Sequence, residues 1–333
     1  MSYTIEKQIA IEAVTKAAIL CTRVRAEMVG AESLEKGDKS PVTVADFGSQ
    51  ALVCEHIRQT FPRDEIVGEE DSADLKKPEN SAILTNILTF VHQFHPQASS
   101  DMVCSWIDAG NGLVDENRYW TLDPIDGTKG FLRNDQYAIA LALVIGGELK
   151  VAALACPALP VSLVDSAKGV GSIFVAVQGE GAYMAALPTD GTEPISSAFK
   201  QIQVASSSDE QNLRFVESVE SGHGDHSRQQ TIAQAAGISQ ASLRMDSQAK
   251  YGAVARGDAA LYLRLPSPKS PDYREKIWDH AAGALIVEEA GGTVTDMHGQ
   301  PLDFATDYRM QNNQGVVVSN GVLHQTVIQA LKN

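Results

Sequence analysis

The sequence predicts an α+β fold in which an antiparallel-sheet α+β half, residues 1–190, precedes a smaller α/β half, residues 200–333. Two observations predict it. Between 119 and 187, five β-rich runs (119–122, 137–145, 150–155, 172–177 and 182–187) follow one another, with Gly146–Gly147 and Gly179–Glu180–Gly181 as turns. Successive strands joined by such short turns form an antiparallel sheet. Beyond Pro188 the segment TDGTEPISS reads as a linker, and after it strand and helix patterns alternate.

The individual elements follow from periodicity. Ile5, Ile9, Ala13, Ala17, Cys21, Val24 and Met28 recur at three- and four-residue steps, so one apolar stripe runs along a helix ending near Gly30. A second helical pattern carries Leu52, Val53, His56 and Ile57 and begins close to Asp46, which places Asp46 near a helix start. From Asp71 to Asp115 the chain is polar and irregular around one apolar helical stretch, 83–94, an excursion containing a single helix. After the linker come a strand at 202–205, helices near 209–220 and 228–236, and a strand at 259–263. A helix at 279–290 then closes on Gly291–Gly292, followed by strands at 293–295 and 316–319 and a final helix.

Whole-chain properties narrow the function. A length of 333 residues with 44% hydrophobic content is enough to bury a large core. A formal net charge of −15 disfavours sequence-independent nucleic-acid binding, which needs a basic surface. Cys21, Cys54, Cys104 and Cys156 are widely spaced without a CxxC pair, so they read as buried free thiols. Charges at Glu6, Lys7 and Glu12 interrupt the first apolar residues, unlike a signal peptide, and no run approaches the roughly 20 apolar residues of a membrane helix. The expectation is a soluble cytoplasmic protein with a small-molecule substrate, no nucleic acid or membrane partner, and a monomeric or weakly oligomeric state.

Acidic residues in four stretches of the chain carry the chemistry. In TLDPIDGTKG, Asp123 and Asp126 flank Pro124, whose ring fixes one backbone torsion, and precede a Gly–Thr step that starts a helix. Both carboxylates can therefore aim at one point. Mg²⁺ takes oxygen ligands, often a few carboxylates together with waters and substrate phosphate, so this spacing suits a phosphate-handling metal site. The amides of Gly127 and Thr128 would face a phosphate from a helix N-terminus. Glu69 and Glu70 follow an apolar stretch and a glycine, as at a strand end. Asp279 stands between Trp278 and His280 before an Ala-rich helix, and Asp46 lies in the apolar setting SPVTVADF.

GEE, DPIDGT and WDHAAG in this order resemble the inositol monophosphatase superfamily of lithium-sensitive, Mg²⁺-dependent phosphatases. SPVTVADF, IVGEEDS, WTLDPIDGTKGFLR, DSQAKY and YLRLP before KIWDHAAG look like its 3′(2′),5′-bisphosphate nucleotidase branch. The resemblance implies a layered αβαβα sandwich and hydrolysis of 3′-phosphoadenosine 5′-phosphate to AMP, a reaction usually set in sulfur assimilation. It also implies two or three Mg²⁺ ions. Glu69, Asp123 and the Ile125 carbonyl would hold the ion that activates water, and Asp123, Asp126 and Asp279 the ion beside the leaving oxygen. It further pairs the Thr128 hydroxyl with Asp46 as proton acceptor. Which of Glu69 and Glu70 ligates directly stays open at this point.

The branch also has a physical argument. Where simple inositol monophosphatases carry an acid after the strand leading to the WD motif, this chain has Arg264, and an Arg fork suits a second phosphate. Lys250 adds a cation three residues after the Ser247 hydroxyl. By the resemblance, His223 joins Ser247, Lys250 and Arg264 in contacting the nucleotide. Lys129 and Arg133 either add positive field or pair with acids. Alternative readings are an inositol phosphate or 3′-phosphoadenylyl sulfate as substrate and, from another class, a non-catalytic nucleotide or metal sensor. The long segment between Glu69 and Asp123 and the proline-rich PSPKSPDYREKIW are candidates for a lid or an adenine pocket.

Overall fold

Strands that are apolar on both faces need cover on both sides. A computed structural model of the chain describes residues 2–29, 40–115, 117–188, 198–206, 213–219, 226–267 and 270–332. Within these residues a seven-stranded sheet runs in the order β1 (Glu65–Gly68), β2 (Arg118–Asp126), β3 (Ala138–Ile145), β4 (Glu148–Pro160), β5 (Val170–Val177), β6 (Gly181–Ala186) and β7 (Lys200–Gln201). The β1–β2 pair is parallel and the other pairs antiparallel. A five-stranded sheet has the order β11 (Thr293–Thr295), β12 (Val316–Ser319), β10 (Leu261–Arg264), β8 (Phe215–Glu217), β9 (Leu243–Arg244).

The period-2 alternation of side chains sorts the layers. Ile139, Leu141 and Leu143 of β3 join a core with α1 (Thr4–Met28) and α2 (Ser40–Thr60). Their neighbours Ala138, Ala140 and Ala142 point the other way, into a core with α7 (Ala249–Ala255) and α8 (Ala281–Glu289). That middle core also takes Tyr262, Val316 and Val318, while Leu261, Leu263 and Val317 face a third core with α6 (His226–Ala235) and α9 (His324–Leu331). The resulting stack is helix, sheet, helix, sheet, helix, the expected sandwich. Small residues on the inward face of β3 let α8 approach the sheet closely. The four cysteines are buried and free, and no helix among the described residues is long and apolar enough to cross a membrane.

Four local expectations need correcting. The excursion holds two helices, α3 (Ser81–Val91) and α4 (Ser100–Asp108), both packed against α2. The second is short, yet Ser99 Oγ caps it by accepting from Met102 N at 3.2 Å, and Val103, Cys104 and Ile107 bury its inner face. Residues 215–217 form β8, not part of a helix, because Phe215 and Val216 pair in parallel with Leu261 and Tyr262 inside the core. The first strand after the linker lies at 200–201, ahead of 202–205. Asp46 is also not at a helix start. The described α2 begins at Ser40 with Pro41 in its first turn, where a missing N–H costs least, so Asp46 lies further along the helix. The linker segment 189–197 falls outside the described residues.

Candidate active site

Parallel pairing of β1 with β2 sets Gly68 beside Leu122, so the chain leaving β1 passes the end of β2. Pro124 has no N–H for a ladder bond, and the β2–β3 register shifts between Asp123 and Asp126, leaving a bulge. Ser49 Oγ of α2 donates to Pro124 O at 2.9 Å and fixes the bulge. The next residue of interest on α2, Gln50, clamps the other strand. Its Oε1 accepts from Glu70 N at 3.1 Å, and its Nε2 donates to Glu70 O and to Ile107 O. Gly68 is required there, because a Cβ would lie 2.6 Å from Gln50 Oε1.

The bulge and the turn before α8 bring carboxylates together. Asp123, Asp126 and Asp279 each offer an oxygen within 4.8 Å of the others. Asp126 Oδ2 accepts from Gln248 N at 2.6 Å, and Asp279 Oδ2 accepts from Lys276 N at 3.4 Å. Asp123 is 1% exposed and its Oδ1 has no hydrogen-bond partner. Burial raises the Asp123 carboxyl well above the usual range, and Glu69, Asp126 and Asp279 add to the shift. Glu69 reaches the open side of the same cleft. Desolvation first, then the charges of Asp279, Glu70 and Asp126, push it up to about 8. Asp279 is raised to about 6 by burial, against the opposing pull of His280 and Arg264. A set of hard oxygen donors, one of them buried and unpartnered, that resist carrying charge together fits a divalent cation such as Mg²⁺.

Asp46 lies behind this group. It is buried, its Oδ1 is unpartnered, and burial followed by the charges of Glu70 and Glu69 raises its carboxyl well above normal. No hydrogen bond among the described residues joins it to Thr128, which opens the short helix α5 (Thr128–Leu132). Gly127, just before that helix, has φ +90°, and a Cβ there would lie 2.9 Å from Ser247 Cβ. Ser247 itself adopts φ +63°, uncommon for a residue with a side chain. The two segments approach so closely that one must be glycine.

The cleft holds roughly 820 Å³ of open space, and Glu69, Asp123, Ile125, Asp126, Gly127, Thr128, Ser247, Lys250, Arg264 and Asp279 all line it. Residues from four widely separated stretches of sequence thus meet at one end of the middle helical layer. Lys250 is buried, its Nζ 5.1 Å from the centre of the Tyr262 ring, and burial lowers its pKa to about 8. Arg264 Nε donates to Glu275 Oε2 at 3.0 Å. Arg133 pairs with Asp246, as one of its two expected roles allowed. His223 lies outside the described residues.

Some residues of the site had no marker in the sequence. Gln248, 1% exposed, binds Asp126 through its backbone N–H, while its side chain donates to Trp278 O at 2.9 Å and accepts from Gly283 N at 3.2 Å. It joins the loop of Asp126 to the turn of Asp279. Gln50 and Glu275 act similarly, through partners more than 4 residues distant that no spacing rule predicts, and His280, part of the WDHAAG motif, has its partners Tyr251 and Glu275 fixed only by the fold. The Ser–Gln–Ala–Lys stretch itself offered a partial signal, since two flanking residues were already candidates.

A model of the inositol monophosphatase family matches residues 5–333. A 3′(2′),5′-bisphosphate nucleotidase of Schizosaccharomyces pombe is 42% identical, the match covering 99% of this chain and 96% of that protein. One of Emericella nidulans is 41% identical, with 100% and 99% covered. Among solved structures, an inositol monophosphatase from Zymomonas mobilis superposes with a TM-score of 0.62 at 18% identity over 100% of both chains, a likeness of fold.

Proposed function

The chain belongs to the inositol monophosphatase family, and on that premise we propose that it hydrolyses the 3′-phosphate of 3′-phosphoadenosine 5′-phosphate, giving AMP and phosphate. The observation that carries this reading is one cleft lined both by the carboxylates of Glu69, Asp123, Asp126 and Asp279 and by the cations Lys250 and Arg264. A monophosphate needs the first; a bisphosphate uses both. Relatives about 40% identical along their whole length and named for this activity support the choice.

We assign metal ligation to Glu69, Asp123, the Ile125 carbonyl, Asp126 and Asp279, with two or three Mg²⁺ ions. Bound there, Mg²⁺ supplies the positive charge that acidifies a water and stabilises the departing oxygen. The chain's own residues do the remainder. Asp46, buried behind these carboxylates, takes the water's proton by way of the Thr128 hydroxyl, which is too weak a base alone. Gly127 and Thr128 amides hold the phosphate being cleaved. Ser247, Lys250, Arg264 and His223 hold the rest of the nucleotide. In this scheme residues 1–190 form the metal-binding catalytic domain, and residues 200–333 add nucleotide contacts and the last metal ligand.

The test compares Mg²⁺-dependent phosphate release from 3′-phosphoadenosine 5′-phosphate, 3′-phosphoadenylyl sulfate and inositol 1,4-bisphosphate, with and without millimolar Li⁺. The first compound should be cleaved with the highest kcat/KM, and Li⁺ should inhibit. Preference for the inositol compound, or activity indifferent to Li⁺, would move the protein to another branch of the family.

A further inference from the structure

Arg264 is held by a chain of contacts that runs away from the cleft. Its Nε–H donates to Glu275 Oε2 at 3.0 Å, and His280 Nε2 lies 3.3 Å from the same oxygen. The other ring nitrogen, His280 Nδ1, is 2.7 Å from the Tyr251 hydroxyl. With a neutral imidazole ring, these distances fit Tyr251 O–H donating to Nδ1 and Nε2–H donating to Glu275. Tyr251 cannot drift, because its ring is buried edge-on against Tyr262 at 5.4 Å and presses on Gly283, where a Cβ would sit 2.3 Å from the ring. Glu275 itself is buried.

We propose that Glu275 is a specificity-determining positioning residue: it orients the Arg264 guanidinium towards the cleft and thereby favours substrates with a second phosphate. This rests on the reading above, in which Arg264 receives that second phosphate. A flexible Arg loses rotamer freedom on binding, whereas one whose Nε is already anchored presents a fixed fork with less to lose. Glu275 further keeps the arginine's charge from being an isolated buried cation.

Both contacts use one oxygen, and that makes the test clean. Glu275→Gln can keep an oxygen in place and accept both bonds, while Glu275→Asp, one methylene shorter, withdraws it. The measurement is kcat/KM for 3′-phosphoadenosine 5′-phosphate divided by kcat/KM for adenosine 3′-monophosphate, which lacks the second phosphate. We expect this ratio to fall at least tenfold in Glu275→Asp, through KM, and to stay within threefold of the parent in Glu275→Gln. Arg264→Ala is measured beside them. A ratio unchanged in Arg264→Ala would remove the assignment of Arg264 to the second phosphate. A ratio that falls in Arg264→Ala but not in Glu275→Asp would overturn the role of Glu275 alone, and an equal fall in Glu275→Gln would show that charge acts here instead of orientation.

Discussion

Asp123→Asn should make the metal-free protein more stable while abolishing its response to Mg²⁺. Asp123 shares its site with Asp126 and Asp279, their oxygens within 4.8 Å. At that separation and an effective dielectric of about 20, each pair of ionised carboxylates repels by about 3.5 kcal/mol. The protein avoids part of this by holding protons on the raised carboxyls, so the full sum is never realised. An uncharged, near-isosteric amide should therefore stabilise the metal-free state by on the order of 2–4 kcal/mol at pH 8, a shift in Tm of about 5 °C for a chain of this size. In the parent, Mg²⁺ at a hundred times its Kd should add about 2.7 kcal/mol, and in the variant nearly none. Differential scanning fluorimetry with EDTA and with Mg²⁺ reads both quantities. A variant that melts lower in EDTA, or that keeps the parent's Mg²⁺ shift, would show that these carboxylates are not a metal site built against its own repulsion.

The remaining predictions follow from other parts of the site. Glu69, raised to about 8, and Asp279, raised to about 6, bind protons more tightly folded than unfolded. Their contribution to metal-free stability is complete below about pH 4 and is lost as pH rises through 6 and 8. The Mg²⁺-induced rise in Tm should therefore grow between pH 5 and 8, and a shift flat with pH would contradict this. Asp46→Asn should keep Mg²⁺ binding by calorimetry yet lower kcat at least a hundredfold, and unchanged turnover would remove Asp46 from proton transfer. Gly283→Ala should cost about 3 kcal/mol in urea unfolding, because the new methyl meets a Tyr251 ring fixed by His280 and Tyr262. A cost below about 1 kcal/mol would mean that ring has room to move.

How much of this was legible in the sequence depends on the range of the interactions. The strands of the first sheet were readable because the turns that join them are local, and Gly146 and Gly147 do adopt positive φ. The carboxylates were readable because Asp123 and Asp126 flank one proline, at the bulge of β2, and Asp279 stands beside a helix start. β8 has no local signal, because its three residues of strand are dictated by β10, about 45 residues later in the chain. α4 is too short for periodicity to reveal it, although its cap and its apolar spacing are both present. Gln50, Gln248 and Glu275 were invisible for another reason. A buried amide or acid has no periodic signature, and its role exists only once a partner such as Glu70, Trp278 or Arg264 is folded against it.

Which phosphate leaves is the most direct test of the proposed reaction. With Mg²⁺ and 3′-phosphoadenosine 5′-phosphate, chromatography of the nucleotide product should show adenosine 5′-monophosphate formed in step with phosphate, and none from Asp123→Asn. Formation of adenosine 3′-monophosphate, or no nucleotide product at all, would contradict it.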